Sequence, residues 1–251
     1  PFIMGVSGGA ALGGTLALAV LGGGAAASLA LEGPAAFVGA AAATFLVYRI
    51  GRVGGRVDTI TILLVGVVFN AFASAVIMFI KSVVSATKTQ EILVWLMGSL
   101  TYREFSTLLI VAIGVAIGIA VLFCMAGRMN ALALGEQGAS HLGVDVEKTK
   151  TIIFVSASLL VGLAVSVSGL VGFVGLIVPH LTRLILGPDH RLLLPASVLL
   201  GSAFLVLCDL AARLLFVPLS TEPPVGVVTA FLGGPFFLFL LRRRHRTAFV
   251  S

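Results

Sequence analysis

Apolar residues run through this chain in long unbroken stretches, and the charged residues gather in the short intervals between them. Nothing charged precedes Glu32, so Gly9 to Ala30 forms a first stretch of about the 20 residues that a helix needs to cross a bilayer. Glu32, Gly33 and Pro34 interrupt the pattern, and a shorter apolar run reaches Tyr48 before a basic interval with Arg49, Arg52, Arg56 and Asp58. Further spans are predicted over Thr59–Ile80 and Phe105–Gly127. Between these two, Ile92–Leu100 is apolar but too short to cross, which predicts an interfacial or packed helix carrying Trp95. Thr151 to Thr182 carries no charge apart from the titratable His180, and is long enough for one span, a turn near Ser168-Gly169 and most of another. Leu192–Arg213 and Pro224–Leu241 bring the count to eight, closed by Arg242, Arg243, Arg244, His245 and Arg246.

Composition turns this pattern into a statement about solvent. Hydrophobic residues make up 59% of the 251 and charged residues 10%, where a soluble domain carries about a quarter charged. So few charges cannot coat a globule of this size, and the surface must face lipid. Hydrocarbon pairs with no peptide group, which leaves helices or closed barrels, and the apolar runs lack the period of two that a barrel requires. The expected fold is therefore all-α, a polytopic transmembrane helical bundle. Thirty glycines suit it, because small residues let helix backbones approach closely.

The net charge of +6 does not imply nucleic acid, since the basic residues sit in short loops and not in one stripe with interleaved aromatics. Assigning alternate loops to alternate sides places 12 of the 16 basic residues with the C-terminus. That bias predicts a cytoplasmic C-terminus, and the even count puts both ends on that side. Cys124 and Cys208 lie in apolar spans without zinc or disulfide spacing, and read as small buried residues. No signal peptide is visible and the first residue is Pro1, so the sequence reads as a fragment lacking an N-terminal part.

Candidate chemistry is sparse. There is no G-x-x-x-x-G-K-[ST] phosphate loop, so ATP is not expected to bind here in that way, and no cofactor is expected on this chain. No nucleophile, base and orienting acid group together, and no His/Glu cluster has metal spacing. The polar interval Arg128–Lys150 is the longest. Within it Ala133 to Lys150 reads as a short amphipathic helix ended by Gly143, with Gly135, Gly138, Ala139 and Gly143 small enough for close approach by a partner, or else as a solvated connector. Gly169, Gly172 and Gly175 recur at intervals of three, placing small residues near one helix face, and Pro179 would kink that helix. His180 is either a functional intramembrane group or a histidine satisfied by a carbonyl. Asp209 and Arg213, four apart, predict an ion pair near the outer end of their span, functional or merely self-neutralising.

These segments together resemble the FecCD family, the permeases of binding-protein-dependent importers for iron-siderophores, haem and cobalamin. The resemblance rests on G-V-S-G-G-A-A-L-G at Gly5–Gly13, A-L-G-E with L-G at Ala133–Gly143, and V-G-F-V-G-L-I-V-P-H-L-T-R at Val171–Arg183. It continues in G-P-D-H-R-L-L-L-P at Gly187–Pro195, D-L-A-A-R at Asp209–Arg213 and P-V-G-V-V-T-A-F-L-G-G-P at Pro224–Pro235. The lead-in Pro1–Met4 departs from the family's usual one.

The resemblance implies one transmembrane permease domain over 1–251, with eight of ten helices present and two further ones before residue 1. It implies a homodimer in a bacterial inner membrane, partnered by an ABC ATPase subunit that uses the ATP and by a periplasmic or lipoprotein substrate-binding protein. It makes 134–146 the coupling helices of the ATPase contact, through Leu134, Gly135, Glu136, Ala139, Leu142 and Gly143, and makes Arg213 the docking residue for the binding protein. Gly172, Gly175, Pro179, His180 and Asp209 become structural or gating positions. The expected activity is ATP-driven alternating access for an iron chelate, a ferric siderophore or haem, with cobalamin as the alternative within the family. An ion-coupled secondary transporter and a channel or scaffold are the rivals; the first would place ionisable groups at mid-membrane, where these spans have almost none.

Overall fold

The computed structural model describes residues 4–20, 25–53, 56–219 and 223–248, without the side chains of 25–30, 53, 56, 216–219 and 238–248. Its helices are α1 (Val6–Val20), α2 (Ala25–Ile50), α3 (Thr59–Val83), α4 (Ala86–Leu96), α5 (Phe105–Cys124), α6 (Ala126–Leu132), α7 (Glu136–His141), α8 (Val146–Ser168), α9 (Val174–Leu186), α10 (His190–Leu219) and α11 (Val225–Ala248). The fold is an all-α membrane bundle. Among the described residues the one strand pairing is a two-residue antiparallel ladder, β1 (Arg52–Val53) with β2 (Arg56–Val57), in the basic interval between α2 and α3. Among the described residues five helices are long and apolar enough to cross a membrane: Leu31–Ile50 of α2, α3, α5, α8 and His190–Leu215 of α10. Three shorter apolar helices, Val6–Val20, Val174–Leu186 and Val225–Phe237, overlap the other expected spans, but the first of these, Gly9–Ala30, is divided between α1, which ends at Val20, and α2, which begins at Ala25.

The chain divides into two compact units, 1–96 with 101–170, and 97–100 with 171–251. In the first, α1 and α2 meet through glycines. A Cβ on Gly9 or on Gly13 would run into the α2 backbone at Gly39 or Ala35, and one on Gly39 into the carbonyl of Gly9. Bare backbone on backbone is how helices adhere where the hydrophobic effect between them is weak. Around this seam Val6, Ala10, Leu18, Ala36, Ala40, Ile92, Trp95 and Val165 form a buried core. The packed helix expected to carry Trp95 is α4, and the indole lies flat against Gly14. On α5 no residue is buried, and it touches α8 by seating Leu160 and Leu163 against Gly118 and Gly114. Cys208 is buried, but Cys124 at the end of α5 is exposed, contrary to expectation, because α5 has protein on so little of its circumference.

The second apolar run does not begin after Glu32-Gly33-Pro34. α2 passes through these residues, with Pro34 inside it. A carboxylate is tolerated there because Arg103, in the interval before α5, donates to Glu32 Oε1 at 2.6 Å, and the Glu32 residue is 2% exposed. Arg103 Nε also reaches the Val167 carbonyl at 3.4 Å, and Gly33 lies against the Ser166 carbonyl, so α2, α8 and the α4–α5 interval are tied at one end. The other end of the same helices carries the ladder and the start of α8, where Glu147 accepts the Val57 N–H at 2.6 Å. Both contacts join loops that alternate assignment had placed on a common side.

Phe154, Val47, Val57 and Ile62 form a second buried cluster near that end, with Tyr48 stacked on Phe154 at 6.2 Å. In the second unit, α9 packs on α10 and α11. The expected helix face of Gly169, Gly172 and Gly175 is not formed: Gly169, at φ 65°, ends α8, Gly172 lies in the linker, and only Gly175 is helical. α11 continues over 242–246, whose side chains lie outside the described residues, as do residues 1–3 of the lead-in.

Removing one partner from a buried ion pair strands the other charge, so Glu32→Ala is expected to destabilise by about 3–5 kcal/mol. Replacing both Glu32 and Arg103 by leucine should recover most of that loss, as measured by thermal unfolding in detergent.

Candidate functional site

The interval between α5 and α8 folds back on itself in two short helices. α6 runs directly on from α5, Gly135 turns the chain at φ 97°, and α7 occupies only Glu136–His141. The 134–146 segment thus contains one six-residue helix. It ends at Leu142, and Gly143, at φ 78°, lets the Val144 N–H reach back to the Ala139 carbonyl at 3.0 Å. A built Cβ on Gly135 or Gly143 would meet nothing within 4 Å. These two glycines are therefore needed for left-handed backbone and leave open space above them. Ala139 is fully buried and seats α7 on the body, so it presents no surface. Glu136, Leu134 and Leu142 do: the leucines are 72% and 65% exposed, apolar groups flanking a polar helix outside the long spans. Glu136 is held by Lys150 of α8 at 2.5 Å.

Asp145 caps α8 by accepting the Lys148 N–H at 3.1 Å, and Asp58 caps α3 through the Thr61 N–H at 3.0 Å and the Thr61 hydroxyl. Hydrogen bonding lowers both carboxyls below their ordinary value, that of Asp145 chiefly through the Lys148 backbone and that of Asp58 chiefly through the Thr61 side chain. A depressed carboxyl stabilises the fold above its ordinary range, and that contribution is lost as pH falls through the depressed value.

In the second unit, Arg213 Nε donates to Asp209 at 2.8 Å, the pair expected from their spacing. Arg213 also reaches the Leu100 carbonyl at 3.2 Å and is still 54% exposed, a guanidinium oriented by two acceptors. Gly226 N–H lies 3.5 Å from the Gly98 carbonyl, tying the start of α11 to the same 97–100 segment. Pro179 and His180 lie inside α9 and are half-buried, and Gly172 and Gly175 have open space where a Cβ would stand.

Two features escaped the sequence. Phe173 enters α9 in the left-handed region at φ 66°, and its ring occupies the space that a side chain at Gly233 would fill. A bulky residue there is strained, and the contact across 60 positions leaves no local signal. The Glu32–Arg103 pair has a signal only in retrospect, as an acid inside one apolar run and a base in the interval before another. Among the described residues no group of three or more His, Cys, Asp or Glu is placed to hold a metal.

Comparison with known proteins assigns the fold to a lineage. The family model described as the FecCD transport family matches residues 1–243. The chain belongs to the FecCD family. The cobalamin import system permease of Halobacterium salinarum is 45% identical over 98% of this chain and 64% of its own length. The hemin transport system permease of Yersinia pestis is 36% identical over 84% of this chain and 62% of its length. This FecCD chain thus spans just under two thirds of those relatives. A solved structure described as a metal-chelate type ABC transporter in an inward-facing conformation superposes with a TM-score of 0.87 at 30% identity, over 97% of this chain and 75% of that one.

Gly143→Ala is expected to loosen α7 by about 1 kcal/mol, because the left-handed turn disfavours a Cβ. Gly138→Ala, within α7, should tighten it by a similar amount. Amide hydrogen exchange across 136–141 reads both. The same measurement followed into acid should show protection in the first turns of α3 and α8 falling away once the pH drops below the ordinary carboxylate range.

Proposed function

We propose that this protein is the transmembrane permease subunit of a binding-protein-dependent ABC importer whose cargo is a metal held in an organic chelate. One observation carries the reading: the family match extends over residues 1–243, nearly the whole chain. The 134–143 loop suits the contact with an ATPase subunit, which would bind and hydrolyse the ATP. Its exposed Leu134 and Leu142 are apolar groups of the kind a protein partner covers, and the positive-φ glycines leave room above the loop. Arg213, exposed and oriented by Asp209 and the Leu100 carbonyl, suits an acidic group on a substrate-binding protein. The basic bias of the loops supports a cytoplasmic side for α7 and the C-terminus and the opposite side for Arg213, and the family supports a bacterial inner membrane.

A second copy completes the proposed assembly, with a translocation path on the dimer axis that opens alternately to the two sides. The permease does no covalent chemistry. Within the cargo class an iron chelate is the first expectation and cobalamin the alternative. The names of the relatives span cobalamin and hemin.

The intact protein reconstituted in proteoliposomes with its ATPase and binding protein tests this. Radiolabelled ferric hydroxamate, haemin and cyanocobalamin are offered in turn. One of them should enter only with ATP, and Leu134→Asp with Leu142→Asp should reduce that entry by about tenfold or more by weakening the ATPase contact. Uptake that follows an ion gradient without ATP would make the protein a secondary transporter.

A further inference from the structure

We propose that Glu147 and Lys150 fasten the β1–β2 ladder to the 134–143 loop, so that movement of α7 enters the membrane helices at Val57; this rests on the importer reading above. Val57 is almost fully buried, and both of its peptide groups are held by α8 side chains. Its N–H donates to Glu147 Oε2 at 2.6 Å, and its carbonyl accepts from Lys150 Nζ at 3.3 Å. Glu147 and Lys150 stand three apart at the start of α8, so they share one face of that helix. The Lys150 ammonium also donates to Glu136 Oε1 of α7, at 2.5 Å. With three donors, one ammonium serves the carboxylate and the carbonyl together.

The residue after Val57 is Asp58, whose carboxylate caps α3. Force applied at Glu136 therefore reaches the N-terminus of α3 through Lys150, the Val57 main chain and Asp58. A second strand of the same network leads to α2: the Thr151 hydroxyl donates to the Glu147 carbonyl at 2.8 Å and lies 3.1 Å from the Tyr48 hydroxyl. Lys150 is 15% exposed, so its bonds are shielded from competing water. The grip is on main-chain atoms, and the side chain at position 57 can change without releasing it. Lys150 and Glu147 are positioning residues, touching neither cargo nor nucleotide.

The test uses the intact protein with its ATPase and binding protein in proteoliposomes, and the chelate that gives uptake in the wild type. Cargo moved per ATP hydrolysed is compared for the wild type, Lys150→Met and Lys150→Arg. Methionine keeps the unbranched stem up to Cε and removes every donor, whereas arginine keeps donors for both acceptors. The relay predicts that K150M lowers cargo per ATP by about tenfold while the ATPase still co-purifies in the wild-type ratio, and that K150R restores most of the coupling. Spin labels at the exposed positions Ser140 and Ile60 should keep their separation when ATP is added to the wild type, and give a broadened distance distribution in K150M.

Wild-type cargo per ATP in K150M overturns the relay and leaves the importer reading intact. Loss of the ATPase from both variants overturns it too, by making Lys150 part of the assembly contact. Wild-type uptake that needs no ATP removes the importer reading and the relay together.

Discussion

A peptide group in hydrocarbon has no water to bond to, and the architecture follows from that constraint. Each apolar stretch must close its own hydrogen bonds, so each becomes a helix, and the short ladder is confined to the basic interval between α2 and α3. The same solvent weakens the usual reason for helices to associate, because lipid chains are as apolar as leucine. Close contact must supply the attraction instead. α1 and α2 achieve it where Gly9 and Gly13 meet the α2 backbone near Gly39, and α2 and α8 where Gly33 meets the Ser166 carbonyl.

Charge can be spent only where it is paired or wetted, and the first unit does both. At one end Glu32 and Arg103 are nearly sealed, a pair that would expose an uncompensated charge if parted and so binds three elements firmly. At the other end Lys150 is shielded while its partner Glu136 is 62% exposed, and the one ammonium is shared between that carboxylate and the Val57 carbonyl. One end of α2 and α8 is thus tied by a sealed ion pair, and the end near α7 by a shared ammonium that joins α7, α8 and the ladder.

The exposed surfaces around α7 and at Arg213 differ in chemistry. Around α7 the exposed groups are leucines beside a carboxylate, on a loop whose shape is set by two left-handed glycines. At Arg213 the exposed group is a single guanidinium, aimed by Asp209 and the Leu100 carbonyl. Leucines beside a carboxylate present apolar area, whereas an oriented guanidinium presents a directed charge.

Helix class, the apolar segments, the packed helix with Trp95 and the Asp209–Arg213 pair were all legible in the sequence, because each depends on residues within a few positions of one another. So was the family, whose motifs are ordered along the chain. Tertiary structure alone decided that α2 continues through Glu32, Gly33 and Pro34, since the countercharge lies 71 residues away on Arg103. It alone showed that Gly169 and Gly172 belong to a linker, that Phe173 is held in left-handed backbone beside Gly233, and that Ala139 faces inward. Local periodicity reports the solvent around a segment, but whether a charge can be buried or a turn strained depends on atoms that only folding brings within reach.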